Sequence, residues 1–336
     1  MEIIYNKSLE ELENYFLSIG EKPYRGKQIF RSIYKDKVKS FNDITTIKKE
    51  LREKLSHEFS FESLSLIKKE EDKDVKKYLF KTIYGDYIET VLMKQVYGYS
   101  LCVSSEVGCN MGCLFCKSGQ LKRQRKLETY EMVTQVLEVE ELENIKINSV
   151  VVMGIGEPFD NYDNTIKFLD IINNDLGLGI GARKLTVSTV GLVPKIYEYS
   201  NTKYNLAVSL HFSDDHKRSK YMPINKKYNL EELREGILYF NKKTKRKVTL
   251  EYIMLEGIND SVDDAYNLIK FTKGLNAYVN LIPYNKTDTM PFSRSSKDTV
   301  EKFYDILIKA KVRCVQRKEF GTKIDAACGQ LSSEEE

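Results

Sequence analysis

The sequence predicts an α/β fold built on a parallel sheet, and three observations carry that prediction. From about residue 99 onward, short β-rich runs alternate with amphipathic stretches of helix length, six βα units in succession, and parallel strands need crossovers of that kind. The polar residues that stand out chemically fall at the ends of those strands, where parallel sheets carry their chemistry. Upstream, the first sixty or so residues space their apolar side chains at helical intervals instead, so a small helical domain precedes the sheet.

Each element follows from its own pattern. Leu9, Leu12, Tyr15 and Phe16, then Ile44, Ile47, Leu51 and Leu55, mark helices of an accessory domain over residues 1–65. A β-hairpin extension spans 66–98, in which 80–93 forms a hairpin with Tyr84-Gly85-Asp86 at its turn. Strands are expected over 100–107, 149–154, 184–190, 205–211, 247–254 and 278–284, with helices over 130–142, 162–173, 230–241, 263–273 and 297–311. These make up one domain over 99–331, followed by an acidic tail, 332–336.

A chain of 336 residues accommodates one large α/β domain and a small accessory one. With 41% hydrophobic and 30% charged residues it is ordinary for a soluble globular protein, and a net charge of +4 says little about partners. The start, MEIIYNKSLEELENYF, is charged from its second residue, unlike a secretory signal, and no apolar run reaches membrane-spanning length. A reducing, cytoplasmic setting is the expectation. Local charge is more informative: Lys117, Lys122, Arg123, Arg125 and Lys126 come with no acidic residue between them. Further basic groups sit at Lys217, Arg218 and Lys220 and at Lys242, Lys243, Lys245, Arg246 and Lys247. Such patches suit a phosphate backbone, although each alone is more often a solvated face.

Cys109, Cys113 and Cys116 form a C-x3-C-x2-C cluster after the first strand. Three thiolates from one loop, with no evident fourth, would hold a 4Fe–4S cluster and leave one iron free to chelate a small molecule. Structural zinc, which wants four ligands, and a disulfide remain open on spacing alone. In MGIGEP, Gly156 and Glu157 sit at the next strand end, where backbone carbonyls and a carboxylate could hold an ammonium group; alone, the segment also reads as a tight βα turn. A methionine-derived sulfonium, with an amino group and an iron-ligating carboxylate, fits both loops. Ser188, His211 and Asn285 lie on the same rim. Cys102 and Cys328, taken singly, read as small buried residues, and Cys314 as core.

The segments CVSSEVGCNMGCLFC (102–116), VVMGIGEPFDNYDN (151–164), NLAVSLH (205–211), RSKYMPIN (218–225) and IDAACGQL (324–331) together resemble the RlmN and Cfr family of radical S-adenosylmethionine RNA methyltransferases. The resemblance implies a partial (β/α)6 radical SAM barrel, with a small N-terminal helical accessory domain and a β-hairpin linker. It also implies a 4Fe–4S cluster on Cys109, Cys113 and Cys116. S-adenosylmethionine is then held by Gly156, Glu157, Ser188, Ser209, Leu210, His211 and Asn285. Two molecules of it are used per turnover: one methylates Cys328, and the other is cleaved reductively to a radical that takes hydrogen from that methyl group. The carbon radical adds to an adenine ring, Glu89 is the implied proton acceptor, and Cys102 resolves the RNA adduct by forming a disulfide with Cys328.

The implied partners are 23S rRNA, transfer RNA as a second candidate, and an electron donor such as flavodoxin or ferredoxin; a monomer is expected. Two features pull on regiochemistry. VVMGIGEP with FDNYDN, and YGDYIETVLM, resemble the RlmN branch, which methylates carbon 2, whereas EYIMLEGINDS resembles the Cfr branch, which methylates carbon 8. The run KSGQLKRQRKLET departs from the family pattern, with Lys122 where glycine is common and Lys126-Leu127-Glu128 where Asn-Leu-Thr is expected. A zinc-containing RNA-binding protein without catalysis is the competing class.

Overall fold

The computed structural model describes residues 1–286, 290–317, 324, 326 and 329–331. Ten strands form a single sheet in which spatial order follows chain order. They are β1 (Ser65–Asp72), β2 (Val75–Lys81), β3 (Tyr87–Gln95), β4 (Gly98–Val103), β5 (Ile147–Val152), β6 (Leu185–Thr189), β7 (Asn205–Ser209), β8 (Val248–Met254), β9 (Ala277–Pro283) and β10 (Cys314–Gln316). β1 to β4 pair antiparallel, and from β4 onward every pairing is parallel. Helices cross over between the parallel strands, among them Thr129–Glu143, Tyr162–Asn173, Leu230–Thr244, Val262–Thr272 and Lys297–Lys309.

Side-chain alternation explains which face became the site. On β8, Val248, Leu250, Tyr252 and Met254 enter the main apolar core, and Leu206 and Val208 of β7 and Val279 and Leu281 of β9 do the same. The intervening Ser209, Glu251 and Asn280 point to the opposite, concave side, which holds polar groups. Burying the apolar face under the crossover helices therefore leaves the other face free for chemistry.

Several sequence expectations shift. The strand expected over 100–107 ends at Val103, because Ser104 leaves the ladder: its N–H donates to Gln135 Oε1 at 2.8 Å and its hydroxyl donates to the Glu89 carbonyl at 2.6 Å. Glu106–Val107 then pairs separately with Arg125–Lys126. The segment 66–98 does contain the hairpin, closed by Gly85 N–H donating to the Thr82 carbonyl at 3.0 Å. Its strands extend the main sheet. The short strand at Cys314 and the helices Val193–Tyr199 and Asp215–Tyr221 were not expected. Cys314 itself is core, as its apolar reading implied.

In the N-terminal region, the helix Leu9–Ser18 starts with a capping box between Ser8 and Glu11. Its buried residues, Leu12 and Phe16, join the same apolar core as the sheet. Asn6 fastens the region to the helix Thr129–Glu143, accepting from Tyr130 N–H at 2.8 Å and donating to Glu128 at 3.0 Å. No helix among the described residues is long and apolar enough to cross a membrane.

Candidate active site

The cysteine loop is shaped by backbone geometry before any ligand is considered. Gly108 and Gly112 have φ of +73° and +65°, and a Cβ on Gly119 would meet the Cys113 carbonyl at 2.7 Å. Cys109 N–H donates to the Leu121 carbonyl at 2.9 Å, and Leu114 N–H to that of Tyr221 at 3.0 Å. Phe115 anchors the loop in a second apolar cluster with Phe212, Met222 and Tyr284. All three cysteines consequently line one cavity at the strand ends, together with Gly156, Glu157, Ser188, Ser209 and His211. Burial pushes the Cys109 thiol up to about 12 and that of Cys113 well above its ordinary value. Buried thiols of this kind ionise only when a cation offsets the cost, which suits iron.

The glycine-glutamate loop is built as tightly. Gly156 has φ +104°, and a Cβ there would lie 2.6 Å from Cβ of Glu106. Glu157 is buried; its carboxylate accepts from Phe159 N–H at 3.0 Å and Val190 N–H at 2.9 Å. Burial still pushes its carboxyl up to about 7 against those hydrogen bonds. A cationic ligand would restore the charged form. Glu106, which sequence reasoning passed over, is wholly buried and accepts from Glu157 N–H at 2.9 Å. Burial raises it to about 7 as well.

At the end of β7, Ser209 Oγ lies 3.4 Å from Ser188 Oγ. His211 takes φ +55°, a left-handed conformation that costs a non-glycine residue on the order of 1–2 kcal/mol. Its contacts hold it there: Nδ1 accepts from Ile253 N–H at 3.1 Å, and its carbonyl accepts from Asn259 at 2.7 Å. Burial, then the nearby Arg218, lowers its imidazole to about 3. Neutral, with Nδ1 accepting, His211 carries its proton on Nε2. Leu210 turns its side chain into the core, and its backbone is engaged within the chain, its N–H donating to the Glu251 carbonyl at 3.1 Å and its carbonyl accepting from Arg218 at 3.1 Å. Asn285 does not line this cavity. It follows β9 and is buried, and its Oδ1 has no hydrogen-bond partner among the described residues.

Glu89 and Cys102 sit farther along the sheet. Val91 of β3 lies opposite Cys102 of β4, and Glu89, two residues from Val91, shares that face. Cys102 is buried in a third apolar cluster with Val91, Met93 and Ile155, joined by Ala326 and Leu331 from the C-terminal segment and by Met153, which also lines the cavity. Cys328 lies outside the described residues, as does the acidic tail. Its neighbours are tied to the cysteine loop: Lys117 N–H donates to the Gly329 carbonyl at 2.8 Å and Ser118 hydroxyl to that of Leu331 at 2.7 Å. Among the described residues no two cysteines form a disulfide.

Several basic residues of the patches are paired within the chain. Arg125 pairs with Asp86 at 2.5 Å and Glu131 at 2.6 Å, Arg123 with Glu106 and Asp160, and Lys126 with Asp160 at 3.5 Å. Lys217 pairs with Asp264 at 2.7 Å, and Arg246 donates to the carbonyls of Thr202 and Tyr204. Arg218 is fully buried and donates to the carbonyls of Leu210 at 3.1 Å and Val190 at 2.6 Å and to Asn225 at 2.9 Å, so it braces three loops of the site. Glu251, also unforeseen, is buried in the cavity wall and bonded to Asn280 at 2.8 Å.

Relatives decide what such a site belongs to. Residues 4–60 match the family described as the ribosomal RNA large subunit methyltransferase N-terminal domain, and residues 103–269 match the radical SAM superfamily. A protein of Spiroplasma citri named "Probable dual-specificity RNA methyltransferase RlmN" is 46% identical over 100% of this chain and 99% of its own length. One of the same name from Acholeplasma laidlawii is 44% identical over 99% of both chains. The chain belongs to the RlmN family of radical S-adenosylmethionine RNA methyltransferases. A solved structure, a radical SAM methyltransferase from Sphaerobacter thermophilus, superposes on this RlmN-family chain with a TM-score of 0.93 at 36% identity, covering 99% of this chain and 100% of that one. The RlmN family implies a 4Fe–4S cluster and S-adenosylmethionine, and the residues present fit both: three cysteines on one cavity wall, with Cys113 buried and Cys109 and Cys116 partly exposed, and a buried carboxylate with a raised pKa for an ammonium.

Proposed function

We propose that this protein methylates an adenosine of 23S rRNA at carbon 2, with transfer RNA as a second substrate, in the cytoplasm and as a monomer. Cys328 is the methyl carrier, Glu89 the proton acceptor and Cys102 the resolving cysteine. The observation that carries the reading is the packing of Ala326 and Leu331, which flank Cys328, into the same apolar cluster as Cys102. Support for carbon 2 comes from the RlmN names of the relatives at 44–48% identity.

Cys109, Cys113 and Cys116 would hold the cluster, while Gly156, Glu157, Ser188, Ser209, Leu210, His211 and Asn285 would hold S-adenosylmethionine. When bound, these groups, with an outside electron donor such as flavodoxin or ferredoxin, supply the methyl group and the one-electron chemistry that an unreactive aromatic carbon requires. The chain's own residues do the rest. Neutral His211 offers an Nε2–H donor, Glu157 a carboxylate for an ammonium, and the apolar cluster around Cys102 keeps water from its thiol. Cys102 Sγ then bonds to Cys328 Sγ; the sulfur–carbon pair stays with the carbon, which takes a proton and leaves as the product methyl group.

Replacing Cys102 with Ala removes the resolving thiol and should trap the chain crosslinked to RNA, visible as a nuclease-sensitive band on a denaturing gel. Cys102→Ala protein that turns over normally, with no crosslinked RNA, contradicts the scheme.

A further inference from the structure

The Gly156-Glu157 loop owes its backbone direction to Glu106. Ser105 and Glu106 donate their N–H groups to the Ile155 carbonyl at 2.8 and 3.2 Å, and Glu157 N–H donates in return to Glu106 Oε2 at 2.9 Å. The peptide unit is trans, so the Gly156 carbonyl that shares it with this N–H points the opposite way, away from Glu106. Gly156 lines the cavity, and Glu106 lies behind it. Among the described residues no donor bonds the Gly156 carbonyl, whereas that of Glu157 accepts from Asp160 N–H at 2.9 Å and Asn161 N–H at 3.3 Å. Arg123 closes the arrangement: it lies 3.3 Å from Glu106 Oε1 and also pairs with Asp160. Glycine's own preferences do not select this orientation, since Gly156 at φ +104° tolerates the following peptide either way round.

We propose that Glu106 is a positioning residue for S-adenosylmethionine: by holding the Glu157 N–H it turns the Gly156 carbonyl into the cavity, where that oxygen accepts a hydrogen bond from the ligand's amino group. The inference rests on the reading of this loop as the amino-group site. Without an acceptor at position 106, the Glu157 N–H is left unpaired in a buried place, and the peptide reverses to find one. The Gly156 carbonyl then leaves the cavity, while Ser188, Ser209 and His211 stay where they are. The loss therefore falls on ligands that carry the amino group.

The test compares Glu106→Leu and Glu106→Gln with wild type by anaerobic calorimetry on full-length, cluster-loaded protein. The probes are S-adenosylhomocysteine, which has no methyl group to transfer, and its deamino analogue, which keeps the carboxylate and the nucleoside. Glu106→Leu should bind S-adenosylhomocysteine about tenfold more weakly and the deamino analogue within about twofold of wild type. Glu106→Gln keeps an oxygen that accepts from Glu157 N–H and should stay within about threefold of wild type for both probes. Wild-type affinity for S-adenosylhomocysteine in Glu106→Leu, or an equal loss for both probes, overturns the proposal. If Glu106→Leu does not fold, Glu106→Gln decides, and a loss of about tenfold for S-adenosylhomocysteine there rejects the role. Equal affinity of wild-type protein for the two probes, by contrast, rejects the reading of the loop as the amino-group site, whatever Glu106 does.

Discussion

At the scale of single residues, the site is governed by burial working against charge. Glu106 and Glu157 are pushed toward neutrality, Arg218 is lowered to about 10 by burial, and His211 is lowered to about 3. His211 gives the cleanest consequence. Its folded pKa lies below the ordinary value of 6.5, so between about 6.5 and 3 the unfolded chain binds a proton there that the folded chain does not. That difference costs stability progressively as pH falls through the window, and none is lost above it. In NMR, the His211 ring resonances should stay fixed from pH 8 to pH 5; a titration midpoint near 6.5 would show that the imidazole is not held neutral. The sequence made His211 visible by placing it at a strand end, yet not its tautomer, which depends on Ile253 N–H, 42 positions away. The same holds for Glu106 and Arg218: each gets its role from partners distant in sequence, and a charged residue read without its partner resembles any surface charge.

At the scale of elements, what could be read beforehand was what repeats. The parallel strands announced themselves through apolar runs between amphipathic helices, and the cysteine and glycine-glutamate loops through spacing. β1 did not, since SLIKKEED is charged and largely exposed, and only pairing with β2 makes it a strand. The run from Lys117 to Lys126 gains an internal role. Its arginines close a rim around Glu106, Asp160, Asp86 and Glu131, so its basic character serves the loop that carries Gly156. Gly156 tests how tightly that rim is set. Gly156→Ala places a Cβ 2.6 Å from Glu106 Cβ at φ +104°, a conformation costing about 1–3 kcal/mol before the clash is counted. Affinity for S-adenosylmethionine, measured by calorimetry on cluster-loaded protein, should fall by about tenfold or more. Unchanged affinity would mean that this loop does not contact the ligand.

For the whole molecule, a single sheet presents one apolar face to helices and one polar face to the reaction. The N-terminal helices share the core of that sheet, so the region matched to the large-subunit rRNA methyltransferase N-terminal family is braced against the barrel helices. Near the C-terminus, Gly329 lines the cavity, and the carbonyls of Gly329 and Leu331 accept from Lys117 N–H and the Ser118 hydroxyl. This brings residues 329 and 331 to the cysteine loop, and 326 and 331 to the apolar cluster of Cys102. The most direct test of the account is to incubate cluster-loaded protein anaerobically with 23S rRNA, S-adenosylmethionine and a reductant, digest the RNA to nucleosides and identify the product by mass spectrometry. The account predicts 2-methyladenosine, and none when Cys328 is replaced by Ala; 8-methyladenosine as the sole product, or 2-methyladenosine made without Cys328, would contradict it.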